Sequence, residues 1–491
     1  MTAPAAKPGG GGIGRATASS VAWNVIGQAA DRLIGFAAFA IVVRLLRVEE
    51  AGLVMLAASA VDLFLALAFS GFGERVIQHR SPDRVLLGTV FWLQVGASVV
   101  LTGVFFAAAP AIAMVFGEER LTPLLQGLSA LFVTYAAAIV PSALLARALR
   151  YKAITLASIA AGLAGGLAGV AVALTVSPLW ALVVQRLVAS LVYAGLALVA
   201  ARFVPPLVFS RRQAGETLRF SGPLLGSALV TAVSAQAAPL MVGFFLPIEA
   251  VAYFRIASRL NEVINQFLIS PINRVFLAVF VIIREDRARA RTAFLNVLRV
   301  FAAAIYGAYA LIGAEAGQVL ALLFGPNWAV AGPVFSLLAI GAIGLPARAF
   351  VVAALTSAGR TPMVFQFSGT LALGTILATL VGAQHDVLRV AAALSALSIA
   401  MILPSLAALR VALGVPALDV LKALAVPLLA GLGAAAATWA SGKAFAGLAP
   451  TPLPLFGAWA VGGVTFAALH LGLAPRRTLE TIRAVLALVR R

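Results

Sequence analysis

The sequence contains no cysteine and only three histidines, and charged residues fill 11% of its 491 positions. The absence of cysteine removes disulfides, thiolate metal ligands and cysteine nucleophiles together. His79, His385 and His470 stand far apart near the ends of apolar segments and build no metal cluster. There is no Walker loop, no HExxH pair and no serine nucleophile elbow, so no catalytic apparatus is visible. Charge this scarce, beside 62% hydrophobic residues and a mean hydropathy of +1.04, excludes an ordinary soluble globule. The composition predicts an all-α polytopic membrane protein. Its net charge of +19 would suggest nucleic acid in a soluble chain. Here the basic residues lie between apolar segments, where they orient helices, and no nucleic-acid partner is expected.

Apolar runs of about 20 residues, the length that crosses a bilayer as a helix, recur along the chain and predict about 14 transmembrane helices. They group as an N-lobe over 20–201 and a C-lobe over 219–412, each of about six helices, followed by a pair over 413–474. Residues 1–19, rich in proline and glycine, read as a disordered cytoplasmic tail. Residues 202–218 form a basic cytoplasmic linker, and 475–491 an amphipathic basic helix suited to anionic membrane lipid. Basic residues concentrate on one side of the predicted spans: Arg75, Arg80 and Arg84, then Arg147, Arg150 and Lys152, then Arg202, Arg211, Arg212 and Arg219. The other side holds Arg44, Arg47, Arg120, Arg389 and Lys443. Over all loops the bias is roughly five to one, which puts both termini in the cytoplasm.

The chain repeats itself. EAGLVMLAAS at 50–59 lies over EAVAYFRIAS at 249–258, IAMVFG at 112–117 over VLALLFG at 319–325, and VPSALL at 140–145 over LPARAF at 345–350. Parallel repeats of this kind are related by an axis along the membrane normal and place a substrate site between the lobes.

Polar groups inside apolar spans are the candidates for function. Across 250–275, Arg255, Arg259, Glu262 and Gln266 recur at helical spacing on one face, and Asn261, Asn265 and Asn273 widen the stripe. A charge at the bilayer centre costs roughly 2.5–3.5 kcal/mol, so this face turns to a cavity or to a partner helix. Glu262 neutralises only one arginine. An internal ion pair that joins two helices is the simpler reading, and a site for an anionic ligand is the one the surplus charge favours. In the first span Asn24, Gln28, Arg32 and Gly35 share a face, with Asp31 beside Arg32. Asp62 corresponds to Asn261 in the repeat, where it serves either a helix–helix hydrogen bond or proton or cation coupling. Arg186, Arg274, Arg299 and Arg348 complete the basic groups in or near spans. All are arginine, whose rigid fork matches phosphate oxygens bidentately. The expected diphosphate ligands are Arg32, Arg255, Arg259, Arg274 and Arg348; the expected coupling or cavity residues are Asp31, Asp62, Glu262, Asn24, Gln28, Asn261, Asn265 and Gln266. Pro141, Pro223, Pro271 and Pro346 mark potential joints, and GLAGGLAG at 162–169 reads as a surface for close helix packing.

The opening WNVIGQAADRLIGFAAFAIVVRLL, the following EEAGLVMLAAS and the later FSGFGERVIQHR resemble the polysaccharide transporter branch, the Wzx-type flippases, of the multidrug/oligosaccharidyl-lipid/polysaccharide exporter superfamily. The resemblance covers nearly the whole chain and is strongest over 20–85. It implies a bacterial inner-membrane transporter that alternates a cavity between membrane faces and moves a polyprenyl-diphosphate-linked glycan outward. Contact with polymerase and glycosyltransferase machinery belongs to the same implication. It also implies cavity arginines on the first and eighth helices, which carry Arg32, Arg255 and Arg259. No cofactor is expected, and the acids raise coupling to H+, Na+ or the membrane potential. The alternatives are a lipid II flippase, which shares the diphosphate chemistry, and a cation-coupled multidrug antiporter, which would favour acidic over basic groups inside the spans. A membrane-bound glycosyltransferase would need a sizeable soluble segment, and no loop is long enough.

The topology is tested by reporter fusions. Fusions at Gly117, Ser177 and Asn327 should report the outer side, and fusions at Gln213 and Asp286 the cytoplasm. A swap of the two sets would overturn the topology and the repeat with it.

Overall fold

The computed structural model describes residues 27, 32–69, 71–283, 287–445 and 452–475, and leaves the side chains of 67–69, 269–283, 287–290 and Thr361 outside that description. Among the described residues every regular element is helical. Eleven helices there are long and apolar enough to cross a membrane. The expected fold class is thus the observed one, and 11 of the expected spans are seen by length and composition among the described residues. The tail over 1–19 and the helix expected from 475 onward lie, but for Pro475, outside the described residues.

The chain divides into two compact units, Met1–Gln236 and Ala237–Arg491. That boundary falls inside a helix, α9 (Arg211–Phe245), whereas composition placed the joint in the linker over 202–218. The reason is visible in the contacts of the linker. Trp92 Nε1 donates to the Pro206 carbonyl at 2.8 Å, and the Ser210 amide donates to Thr89 Oγ1 at 3.0 Å. A Cβ on Gly88 would stand 2.7–2.8 Å from the carbonyls of Val208 and Pro206. The linker is thereby held flat against the first unit and does not behave as a free tether.

The first unit comprises α1 (32–45), α2 (Val48–Phe69), α3 (Phe72–Gln78), α4 (Arg84–Val115), α5 (Leu121–Ser129), α6 (Leu131–Arg147), α7 (Tyr151–Thr175), α8 (Pro178–Ala201) and the start of α9. Local chemistry sets the ends. Asp83 caps α4 by accepting from the Leu86 amide at 2.7 Å. Arg147, at the end of α6, donates to the carbonyls of Ile77 at 3.1 Å and Arg80 at 2.7 Å and also to that of His79, so one guanidinium satisfies the carbonyls at the end of α3. Phe105 stacks edge-on against Phe64 and Phe132 at 5.2 and 5.5 Å in the interior. Large apolar side chains such as Val100, Met114 and Leu167 remain exposed, as lipid-facing residues do.

The second unit continues through α10 (Ile248–Ile283), α11 (Arg287–Ala314), α12 (Ala316–Phe324), a 3-10 turn (Pro326–Ala331), α13 (Gly332–Gly341), α14 (Leu345–Ala349), α15 (Val351–Ser357), α16 (Thr361–Ala383), α17 (Val387–Ala400), α18 (Ile402–Leu413), α19 (Ala417–Phe445) and α20 (Leu453–Leu473). The stretch read as one span over 329–355 is a chain of short helices, α13 to α15. At Ala342–Gly344 it tightens to a 3-10 turn, where α17 lies close: a Cβ on Gly341 would meet the Ser395 Oγ at 2.9 Å, and one on Gly344 would clash with the Ser398 carbonyl. Pro346 sits at the start of α14, just past that turn, whereas α6, α9 and α10 run unbroken through Pro141, Pro223 and Pro271. The trailing pair is docked onto α11. Arg291 pairs with Asp419, Trp459 Nε1 donates to the Leu311 carbonyl at 3.1 Å, and Gly431 abuts Tyr306.

The glycine run of α7 is a packing surface on two sides. Gly165 and Gly169 face α8, where a Cβ would meet Gln185 and Ala189, while Gly162 and Gly166 face Ile34 and Ala38 of α1. Gly165→Leu should therefore force α7 and α8 apart, at a cost of about 2–3 kcal/mol from overpacking. Gly96→Ala on α4, where nothing lies within 4 Å of the new Cβ, should be neutral. Melting curves of the purified variants in one detergent decide it, and equal midpoints would sink the packing argument.

Candidate functional site

Two polar faces run along α10. Phe254, Ser258, Asn261 and Asn265 share one, and Arg255, Arg259, Glu262 and Gln266 share the other, one residue on and so roughly 100° round the helix. The first face walls a cavity of about 200 Å³ in the second unit, whose other sides carry Arg348 of α14, Thr375 of α16, and Ser395 and Ser398 of α17. Three expected site residues, Asn261, Asn265 and Arg348, thus meet in one place. The four residues first read as the principal stripe lie on the neighbouring face.

Tyr309 of α11, which lines a second cavity, holds the two asparagines. Its hydroxyl oxygen lies 2.9 Å from Asn265 Oδ1 and close to Asn261 Oδ1, so its one proton is shared between them, and Asn265 Nδ2 donates to Asn261 Oδ1 at 3.4 Å. Its ring stacks on Phe335 with centroids 6.2 Å apart and planes at 10°, which fixes the direction of the hydroxyl. The remaining hydroxyls are turned to the backbone. Ser395 and Ser398 donate to the carbonyls of Leu337 and Gly341 at 2.6 and 2.7 Å, and Thr375 to that of Leu371 at 2.8 Å. Sequence reasoning missed Tyr309, although a tyrosine within an apolar span needs a partner for its hydroxyl and so is itself a signal.

On the second face Arg259 Nη1 donates to Glu262 Oε2 at 3.1 Å, with side chains 37% and 43% exposed. Arg255 and Gln266 are half-buried along the same stripe. Arg32 lies half-buried on α1, in the first unit. Its expected neighbours Asn24, Gln28 and Asp31 lie outside the described residues, as do the side chains of Asn273 and Arg274. Outside the spans, burial pushes the Glu315 carboxyl above its usual range, and Gln318 Nε2 donates to it at 2.7 Å.

Asp62 of α2 pairs with Arg186 of α8, and the Tyr135 hydroxyl lies beside the same guanidinium. Arg186 was noted among the in-span cations, but its partner, 124 residues away in sequence, could not be read from spacing. Around this pair Thr134 and Ser190 share a hydrogen bond of 2.7 Å, and Ser142 and Tyr193 one of 3.2 Å. A second and larger cavity, about 450 Å³, lies between α11, α13 and α19. It is lined by apolar groups such as Ala310, Leu432 and Trp439 and carries no charged residue. Among the described residues no cluster of three or more His, Asp or Glu side chains is placed to hold a metal.

The Asp62–Arg186 pair generates a test. Asp62→Asn or Arg186→Gln alone leaves a charge without its partner, and each should lower stability by about 3 kcal/mol. The double variant should recover much of that loss. Thermal midpoints of all four proteins measure the coupling, and additive losses would show that the pair contributes nothing through its charge.

The sequence profile of the family described as polysaccharide biosynthesis protein matches residues 41–333, more than half of the chain. Among curated relatives, the succinoglycan biosynthesis transport protein ExoT of Rhizobium meliloti (strain 1021) is 24% identical over 368 residues, 74% of this chain and 74% of that one. The lipopolysaccharide biosynthesis protein WzxC of Escherichia coli (strain K12) is 23% identical over 372 residues, 75% of each. Among solved structures, the lipid II flippase MurJ in an inward closed conformation superposes with a TM-score of 0.76 at 12% identity, covering 92% of this chain and 98% of that one. An inward-facing multidrug resistance transporter of the MATE family, from the MOP superfamily, superposes with a TM-score of 0.52 at 14% identity, covering 78% and 92%. These two likenesses establish the fold and leave the substrate open. The chain belongs to the polysaccharide biosynthesis protein family, as a multi-pass membrane transporter.

Proposed function

We propose that the chain is a flippase that carries a polyprenyl-diphosphate-linked oligosaccharide from the inner to the outer leaflet of a bacterial inner membrane by alternating access. The exported glycan would serve an exopolysaccharide, a capsule or an O-antigen, and both termini would stay in the cytoplasm. Family membership supports the substrate class, together with the transport roles in the names of ExoT and WzxC. The observation that carries the reading to residues is the Arg255, Arg259, Glu262, Gln266 face of α10. It is an arginine-rich stripe within a membrane helix, on a different face from the one that lines the cavity of its own unit.

Arginine binds phosphate oxygens as a charge-assisted fork. Arg255 and Arg259 are the proposed diphosphate ligands on this unit, with Arg32 acting from the first and Arg274 further along α10. Glu262 competes with the substrate for Arg259. When the diphosphate engages Arg259 the carboxylate is displaced, and when the lipid leaves it returns, so that the cation is never exposed to hydrocarbon alone. Transfer of the diphosphate to the outside moves about two negative charges, which an inside-negative potential of 100 mV favours by roughly 2.3 kcal/mol per charge. Glu262, Asp31 and Asp62 are the acids through which a proton or a cation would enter the cycle.

Arg255→Ala and Arg259→Ala should each remove a contact of about 1.5–3 kcal/mol and slow flipping of a fluorescent polyprenyl-diphosphate glycan in proteoliposomes tenfold or more. Lysine should restore only part of the rate because the fork is lost. Glu262→Gln should bind the lipid nearly as well as the wild type yet fail in multiple turnover. Alanine variants that flip at the wild-type rate would reduce the stripe to helix glue, and equal loss of binding and turnover in Glu262→Gln would make Glu262 a positioning residue only.

A further inference from the structure

We propose that the second unit holds a binding site for a small monovalent inorganic anion of the halide class, in the cavity walled by Arg348, Asn261, Asn265 and Ser258. The site is independent of the substrate stripe, which lies on the other polar face of α10.

Charge comes first. Among the described residues, Arg348 is the one charged residue lining this cavity, and no carboxylate lies within ion-pair distance of it. The acid nearest along α10, Glu262, belongs to the neighbouring face and is engaged by Arg259. A guanidinium held inside an apolar slab with no counter-charge is costly. One fixed positive charge is balanced by one negative charge, which selects a monovalent ion.

The hydrogen-bond donors point to the same ligand. The Tyr309 hydroxyl lies within bonding distance of both asparagine side-chain oxygens and gives its one proton between them, and that of Asn261 also accepts from Asn265. With their oxygens turned to Tyr309, Asn261 and Asn265 keep amide hydrogens beyond the one that Asn265 gives to Asn261, and the guanidinium of Arg348 lines the same cavity with five more donors. Ser395, Ser398 and Thr375 give their protons to backbone carbonyls. What the cavity offers a guest is a cation with amide donors, and a cation would meet no carboxylate there.

Size excludes the transported lipid. At about 200 Å³ the space lies below the roughly 300 Å³ at which pockets for organic ligands begin. It is ample for a halide with a few waters. Its walls come from α10, α13, α14, α16 and α17, so the anion would tie the broken helix chain of this unit to its neighbours.

The test uses the full-length transporter in detergent, melted in sodium chloride, sodium bromide, sodium phosphate or sodium gluconate at one ionic strength. The wild type should melt several degrees higher in chloride and bromide than in gluconate, with saturable dependence on halide concentration. Arg348→Gln should lose that dependence, Arg348→Lys should keep part of it, and Arg259→Ala should keep it whole even though its flipping is impaired. Crystals grown in bromide should give an anomalous peak beside Arg348. A wild-type midpoint indifferent to the anion overturns the proposal, as does phosphate matching or exceeding halide, or a halide shift that survives in Arg348→Gln. If Arg348→Gln does not fold, the bromide peak in the wild type decides: a peak elsewhere, or none in the cavity, overturns the site. None of these readouts depends on transport, so the site can fail while the flippase reading stands, and the reverse.

Discussion

A charge surrounded by hydrocarbon must be answered by another charge or by aimed dipoles, and the placement of polar residues in this protein follows from that demand. Three answers are visible. Arg186 is met by Asp62 across two helices, and Arg291 by Asp419 at the join between α11 and α19. Arg259 is met by Glu262 within one turn of α10. Arg348 faces amides and a tyrosine hydroxyl instead of an acid. The first two pairings join helices that must stay together. The Arg259 pairing lies within one helix, and Arg348 lies among neutral dipoles, so neither holds two helices together through charge.

Small residues provide the geometry in which such pairs form. Around α7 and along α17, glycine lets one backbone come within van der Waals distance of another, which brings polar side chains on adjacent helices into bonding range. Arg147 shows the complementary device, a long side chain reaching across to the carbonyls that a short helix leaves open.

The helical membrane class, the approximate spans and the family resemblance were legible in the sequence, because a run of apolar residues about 20 long has few other meanings. Periodicity also put Arg255, Arg259, Glu262 and Gln266 on one face of α10, with Asn261 and Asn265 widening that stripe. It could not say which of the two sets looked inward, since they differ by one residue and both carry polar groups. The partners of Asp62 and Asn261 were illegible for a different reason: Arg186 and Tyr309 lie on other helices, and a pairing across the fold has no spacing to betray it. The 3-10 turn at Ala342–Gly344 was hidden because apolar composition continues through it, and only the close approach of α17 shows why glycines stand there.

The two polar faces of α10 bear on how the protein is made. A nascent helix leaves the insertion machinery for lipid when partitioning into the bilayer is favourable, and Arg255, Arg259 and Glu262 oppose that step by several kcal/mol. Tyr309 and Arg348, the groups that occupy the inward face, lie further along the chain and are synthesised later. During synthesis the inward face of α10, with Asn261 and Asn265, must therefore wait at the protein-lined exit, or in the headgroup region, until α11 and α14 arrive to cover it. The order of residues along the chain thus sets a minimum assembly intermediate, reaching at least to Arg348, before this half of the transporter can settle in the bilayer.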